Sequence, residues 1–258
     1  MDLKSHRERI RRQFAAQARA HSKTSRLRNE ESVVPMIELA RPQKSDRVLD
    51  VACGWGFVCL AFSRHVKQVV GVDLTPEMID LARKVAAERG VANVEYAEGE
   101  AEDLRFGAGS FEIVACRFTF HHLGDPEKAL SEMKRVLTPD GRIVLYDCVA
   151  SSDARKAKVH NAIELARDAS HVKMYTDKEY QAFFKKCGLE VRGRVLTLMK
   201  RHFEHWMDFV DADPVVRRRV KKLLEDSIDG NKSGLGVRVR EGELSFTHTC
   251  AAWLLVTK

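Results

Sequence analysis

No apolar run in this 258-residue sequence approaches the roughly 18 residues needed to cross a bilayer. The stretch from Met1 to Arg28 is basic but has no apolar h-region and no small-residue cleavage site, so a secretory signal is not expected. Six cysteines stand at 53, 59, 116, 148, 187 and 250 without a C-x-x-C pair. They read as reduced thiols packed in the core of a cytoplasmic protein, and no metal is expected. A zinc ribbon, an appended RNA-binding module, internal repeats and low-complexity tracts are all missing.

What is present is a soluble-globular composition, 44% hydrophobic and 31% charged, long enough for one sizeable α/β domain with a modest addition. The formal net charge is +7. Much of the excess sits in Arg7–Arg12 and Arg217–Lys222, which read as solvated helix faces. Nucleic acid is therefore not the expected partner, and oligomeric state is left open.

Strand-like and helix-like runs alternate from 47 to 150, the pattern of a parallel sheet covered on both faces. The expected strands are Arg47–Val51, Gln68–Val72, Val94–Ala97, Ile113–Arg117 and Arg142–Cys148. Thr75 and Asp125 are candidate N-caps ahead of Pro76 and Pro126. After 150 the rhythm changes. Helices are expected around 153–168 and 177–187, then a strand over Leu189–Leu198, a helical insertion over Phe203–Ile228 and a last strand over Phe246–Thr257. Three segments follow: an N-terminal helical leader or lid (1–40), a Rossmann-like core (41–150) and a C-terminal part with helical lid insertions (151–258).

The most informative stretch is Asp50-Val51-Ala52-Cys53-Gly54-Trp55-Gly56, at the end of the run Arg47-Val48-Leu49. A second acid, Asp73, ends the next apolar run. A buried strand running into a glycine turn that opens a helix lets backbone N–H groups approach a ligand. An acid at the tip of the following strand can accept hydrogen bonds from ribose hydroxyls. The dinucleotide fingerprint needs a third glycine, and Cys59 occupies that position. Asp50 would repel a pyrophosphate and favour a cation. S-adenosylmethionine carries an ammonium and a sulfonium and no phosphate, so the turn suits it better than NAD.

The chain resembles the class I S-adenosylmethionine-dependent methyltransferases, and among them the ubiquinone/menaquinone-biosynthesis type. Asp50, Ala52, Gly54 and Gly56 match the family's first motif, an acid followed by alternating glycines, with Ala52 replacing the first glycine. Gly99-Glu100-Ala101-Glu102-Asp103-Leu104-Arg105-Phe106 is similar to its adenine loop. Ser110–Phe118, His121-His122, Arg135-Val136-Leu137 and Thr138–Arg142 continue the match in order.

The resemblance implies a seven-stranded, mostly parallel sheet with helices on both faces, an antiparallel last strand and helical lid insertions. It implies that Asp50 engages the methionine ammonium, Asp73 holds the ribose and Leu74 and Met78 pack near the adenine. Glu100, Ala101 and Glu102 belong to the adenine loop, and Arg117 offers its backbone carbonyl beside Phe118. Cys53 lies within the glycine turn. S-adenosylhomocysteine would be the product.

The reaction expected is methyl transfer to a small-molecule acceptor, aromatic, quinone-like or polyketide. His121 and His122 are the candidate bases, since imidazole titrates near neutral pH. The alternative for them is a helix cap and a surface position. Arg167 and His171, in Arg167-Asp168-Ala169-Ser170-His171, would orient an anionic or enolic substrate; self-capping of a helix end is the competing reading. Asp147 is a further base candidate, and His21, Ser22 and Ser25 are candidates for the entrance. Trp206, Met207 and Phe209 form a greasy cluster that suits either core or lid. Competing functions are a SAM-binding protein that is non-catalytic or uses SAM for another reaction, a nucleic-acid or protein methyltransferase, and an arsenite methyltransferase built on Cys53, Cys116 and Cys148.

Overall fold

The computed structural model describes residues 2–21, 33–210 and 212–258, without the side chains of residues 19–21. The entrance candidates Ser22 and Ser25, and the side chain of His21, lie outside the described residues.

The leader is α1 (Leu3–His21), followed by α2 (Val34–Ala40). The core then runs β1 (Arg47–Val51), α3 (Phe57–Ser63), β2 (Gln68–Asp73), α4 (Pro76–Glu88), β3 (Val94–Glu98), β4 (Phe111–Arg117), α5 (Pro126–Val136) and β5 (Leu137–Cys148). Beyond it come α6 (Ala154–Arg167), α7 (Asp177–Lys186), β6 (Leu189–His202), α8 (Phe203–Asp208), α9 (Pro214–Glu225), β7 (Arg238–Arg240) and β8 (Glu243–Thr257).

The strands form one sheet in the order β3-β2-β1-β4-β5-β8-β6. Strands β1 to β5 pair in parallel, and β8 runs antiparallel to both of its long neighbours, β5 and β6. The expected sheet is thus present with one addition. Short β7 pairs with the start of β8 through Arg238↔Ser245 and Val239↔Leu244, making eight strands among the described residues. Its Arg-Val-Arg sequence has no apolar alternation to announce it.

Burial explains the parallel half. Val48, Leu49, Val51, Val69, Ile113, Val114, Ile143, Val144 and Leu145 are inaccessible or nearly so, as expected of strands covered by helices on both faces. One apolar layer contains Met36, Phe62, Ile79 and Ala82. The opposite layer contains Phe120, Leu130, Met133, Tyr180, Phe184 and Trp253. A third cluster, Ile163, Trp206, Met207, Val220, Leu224 and Phe246, holds α6, α8, α9 and the start of β8 together. Met207 is wholly buried there, so this side chain is core.

The late helical insertion is divided in two, α8 and α9. Asp213 accepts hydrogen bonds from Val215 and Val216 N–H, with Pro214 in the first turn, and this cap starts a new helix. Asp125 likewise caps α5 through Lys128 N–H at 3.0 Å. Thr75 precedes α4 but makes no side-chain cap.

Candidate functional site

The sheet reverses direction of growth between β1 and β4, since β2 lies on one side of β1 and β4 on the other. Such a switch point opens a crevice beyond the strands' carboxyl ends. Here it holds a cavity of about 540 Å³. Asp50, Ala52, Cys53, Gly54, Asp73, Leu74, Met78, Glu100, Ala101, Glu102, Arg117 and Phe118 line it, together with His121, His122 and Arg167. Gly56 and His171 do not.

The turn after β1 is built on left-handed backbone. Ala52 has φ 57°, Gly54 φ 53° and Gly56 φ 84°. Ala52 therefore adopts at some steric cost the conformation that glycine takes freely. A Cβ on Gly54 would meet nothing within 4 Å, whereas one on Gly56 would lie 2.4 Å from the Tyr96 hydroxyl oxygen. Gly54 thus faces open space. Gly56 is set against Tyr96, and this packing accounts for its absence from the wall.

Two buried carboxylates flank the turn. Asp73 accepts from Gly54 N–H at 2.8 Å and from Thr75 N–H at 2.9 Å, so it braces the turn and the start of α4. Burial raises its pKa, against the pull of these amides. Asp50, at the tip of β1, accepts from the Cys59 thiol at 3.2 Å through Oδ2. Its Oδ1 is buried without a hydrogen-bond partner among the described residues. Desolvation pushes Asp50 up to about 7.

On the other wall, β4 ends in Arg117, and a 3-10 turn at Phe120–His122 follows. The Arg117 carbonyl, expected to face a ligand, accepts the Thr119 hydroxyl at 3.0 Å. The guanidinium lies over the rings of Phe57 and Phe118, at 4.9 and 4.3 Å. Burial lowers it to about 10.

Both histidines are inside, neither a cap nor a surface residue. His121 Nδ1 is 2.7 Å from Asp147 Oδ1, and Asp147 is fully buried at the end of β5. Phe120 N–H and Cys148 N–H also donate to that carboxylate, fixing it. Burial opposes a charge on His121, but Asp147, with Glu164 and Asp168 adding to it, raises its pKa above the ordinary 6.5. His122 meets the opposite fate: burial and the neighbouring His121 lower it to about 4. Its Nδ1 is 3.1 Å from Ser170 Oγ, which donates to Asp168 at 2.6 Å.

The Arg167–His171 stretch therefore braces His122 through Ser170. His171 sits behind the wall, 3.1 Å from Asn161 Oδ1, and burial lowers it to about 3. A substrate-orienting role for His171 does not fit this position. Arg167 does reach the cavity, stacked 4.2 Å above the Trp206 ring and donating to its carbonyl at 3.0 Å.

Several wall residues come from outside the core segment. The leader supplies His6, Arg7, Ile10, Phe14 and Gln17. It is tied down by His6 Nε2 to the His122 carbonyl at 2.7 Å, Arg7 to Glu100 at 2.8 Å and Arg11 to the Leu74 carbonyl. From the far end of the chain come Met199, Arg201, His205 and His248. Cys53 and Cys148 face the cavity, but burial pushes Cys53 up to about 11, and the contact with the Cys250 thiol, with burial adding to it, pushes Cys148 well above the usual thiol range.

A reversing parallel sheet, a left-handed turn between two buried acids and a cavity at the switch point define the class I methyltransferase architecture. Residues 49–145 match the model of the methyltransferase domain family. The chain is 42% identical over 149 residues to the uncharacterized methyltransferase YcgJ of Bacillus subtilis, covering 58% of this chain and 59% of that protein. It is 35% identical over 134 residues to the ubiquinone/menaquinone biosynthesis C-methyltransferase UbiE of Azotobacter vinelandii, covering 50% and 53%. The aligned parts thus span less than two thirds of these two relatives. The crystal structure of the Bacillus YcgJ protein superposes with a TM-score of 0.82 at 29% identity, over 89% of this chain and 99% of that one. Residues 49–145 thus match a methyltransferase domain, within a fold shared with the Bacillus YcgJ protein, and quinone C-methyltransferases are among the proteins this part of the chain is similar to.

No described helix is long and apolar enough to cross a membrane.

Proposed function

We propose that the protein binds S-adenosylmethionine in this cavity and methylates an oxygen or carbon of a small aromatic, quinone-like or polyketide acceptor. The observation that carries the reading is the His121–Asp147 pair, at 2.7 Å, in the same cavity as Asp50 and Asp73.

The residues present fit the cofactor. An unpartnered buried carboxylate oxygen on Asp50 needs a cation or donor, and an ammonium supplies both. The open space over Gly54 leaves room at the turn. A pyrophosphate at the turn would meet the buried Asp50 carboxylate, which argues against a dinucleotide. When bound, S-adenosylmethionine supplies an electrophilic methyl group on a sulfonium.

Asp50 would hold the ammonium, and Asp73 would use its remaining lone pairs for the ribose while bracing Gly54. Leu74 and Met78 would pack on the adenine, with Glu100, Ala101 and Glu102 at its polar edge. The side of the cavity formed by Arg167, Arg201, Trp206 and Phe209 would take the acceptor, its rings covering an apolar body. His121, with Nδ1 committed to Asp147, would take the acceptor's proton at Nε2. Such a base is worth about 10²–10⁴-fold, and holding the reactants in line several kcal/mol more. Helix α1 would keep water from the reacting atoms.

Calorimetric titration with S-adenosylmethionine, S-adenosylhomocysteine and NAD tests the cofactor. Micromolar binding of the two adenosyl ligands and none of NAD is expected. Labelled-methyl transfer to a panel of quinols and phenols then tests the reaction. A well-folded protein that binds neither adenosyl ligand would overturn the proposal.

A further inference from the structure

Away from the two acids, the cavity wall contains a buried cluster that the methyl-transfer reading does not use. His160 and Glu164 stand one turn apart on α6, and His248 comes from β8. His160 is 2% exposed, Glu164 5% and His248 2%. Glu164 Oε1 lies 2.9 Å from His248 Nε2 and 3.6 Å from His160 Nε2. One donor atom from each residue falls within 4.8 Å of the others.

We propose that His160, Glu164 and His248 form a binding site for a divalent transition-metal ion such as Zn²⁺. Two imidazoles and a carboxylate are the donor set of many such centres, which keep their remaining positions open. Bonds of about 2.0–2.2 Å in tetrahedral geometry put ligand atoms about 3.3 Å apart. The 2.9 and 3.6 Å separations here straddle that value. The i, i+4 spacing on α6 sets two ligands on one helix face.

A second observation points the same way. His160 Nε2 and His248 Nδ1 are buried without hydrogen-bond partners among the described residues. An unsatisfied buried polar atom costs about 1–3 kcal/mol, and a metal at the common point of the three residues would satisfy His160 Nε2. Glu164 divides its oxygens: Oε1 faces the imidazoles, while Oε2 lies 3.7 Å from the Arg167 guanidinium. Arg167 thus orients the carboxylate from outside, as partners of metal ligands do. Glu164 and His248 both line the cavity, so the open positions of the ion would face the space left for the acceptor. The ligand suited to those positions is an oxygen donor, a phenolate, enolate or water.

The site stands independently of the cofactor reading, and its test measures metal alone. Full-length protein stripped with a chelator is titrated with Co²⁺ by visible absorption and with Zn²⁺ by calorimetry. One equivalent should bind at micromolar or lower Kd, giving cobalt d–d bands with no thiolate charge-transfer band. His160→Gln and His248→Gln should each weaken binding at least tenfold and abolish the rise in Tm that Zn²⁺ gives the unaltered protein. The cobalt spectrum of the unaltered protein decides the matter even where a variant fails to fold. No spectrum and no heat, a thiolate band, or unchanged affinity in a folded His248→Gln would each overturn the proposal.

Discussion

His121 and Asp147 are joined at 2.7 Å by Nδ1 and Oδ1, and the ring's other nitrogen has no hydrogen-bond partner among the described residues. That arrangement fixes a tautomer. A neutral ring donating from Nδ1 presents a lone pair at Nε2, and the buried acid stabilises the imidazolium that would form on accepting a proton. His122, 4.3 Å away between ring centroids, is kept neutral by its burial and, second, by the neighbouring His121. Two adjacent histidines thus take different parts because only one is paired with a buried carboxylate.

Asp147→Asn should keep the fold, since the amide oxygen can still accept from Phe120 or Cys148. Turnover should fall by about 10²–10⁴-fold with S-adenosylmethionine affinity unchanged. Because Asp147 raises His121, the acid limb of the rate profile in the remaining activity should move to lower pH. A variant with full kcat and an unmoved limb would remove the base.

The same pair makes stability depend on pH in a defined window. Asp147 is lowered below its ordinary 3.8, burial being outweighed by His121, so its contribution is complete above 3.8 and fades as pH falls through the lower folded value. His121 is raised above 6.5, so its contribution is complete below 6.5 and fades as pH rises through the higher folded value. Urea midpoints should show a difference between the parent and His121→Gln that is greatest between those limits. A pH-independent difference would contradict the pairing.

Asp50 predicts a trade between stability and binding. Its folded pKa, about 7, exceeds the ordinary 3.8, so the ligand-free protein takes up a proton on folding and loses stability as pH rises from about 4 through 7. Asp50→Asn should therefore be more stable at pH 8, by on the order of a few kcal/mol, at about 1.4 kcal/mol per pK unit. The same variant should bind S-adenosylmethionine at least tenfold more weakly. In the parent, affinity for that ligand should rise between pH 6 and 8, which calorimetry reads directly.

Asp73→Ala should also weaken S-adenosylmethionine binding at least tenfold, because it removes the brace on Gly54 and, on the proposed reading, the acceptor for ribose. Unchanged affinity in a folded variant would remove the ribose assignment.

The glycines of the turn separate by role. Gly54→Ala meets no atom within 4 Å, so its cost is the left-handed backbone alone, about 1–2 kcal/mol. Gly56→Ala adds a 2.4 Å approach to the Tyr96 hydroxyl and should cost a further ~1–3 kcal/mol. Denaturation of the two variants, with Tyr96→Phe as partial rescue of the second, checks the ordering.

The core was legible because its signals are local. The strand Arg47–Val51 lies where the apolar run places it, and the acids and glycines of the turn are contiguous in the chain. The walls drawn from elsewhere were not. His6 reaches His122 across 116 residues and His248 reaches Glu164 across 84, distances over which no spacing rule operates. Asp147 was visible only as an acid at a strand end; its pairing with His121 depends on β4 and β5 lying side by side. In Arg167–His171 the polar residues were conspicuous, but burial turned them toward His122 and Asn161.

Strand β8 carries a consequence for how this chain can change. Among the described residues it is the one strand bonded to β6, and it also pairs with β7, so that edge of the sheet is attached to the first five strands through one strand. Arg201 from β6 and His248 from β8 itself reach the cavity from that side, while Asp50 and Asp73 stand on β1 and β2. Insertions and replacements hung on β8 can therefore remodel one wall of the cavity while the opposite wall keeps its register. A change confined to Glu243–Thr257 would therefore alter the Arg201 and His248 side of the cavity and leave the turn between β1 and α3 in place.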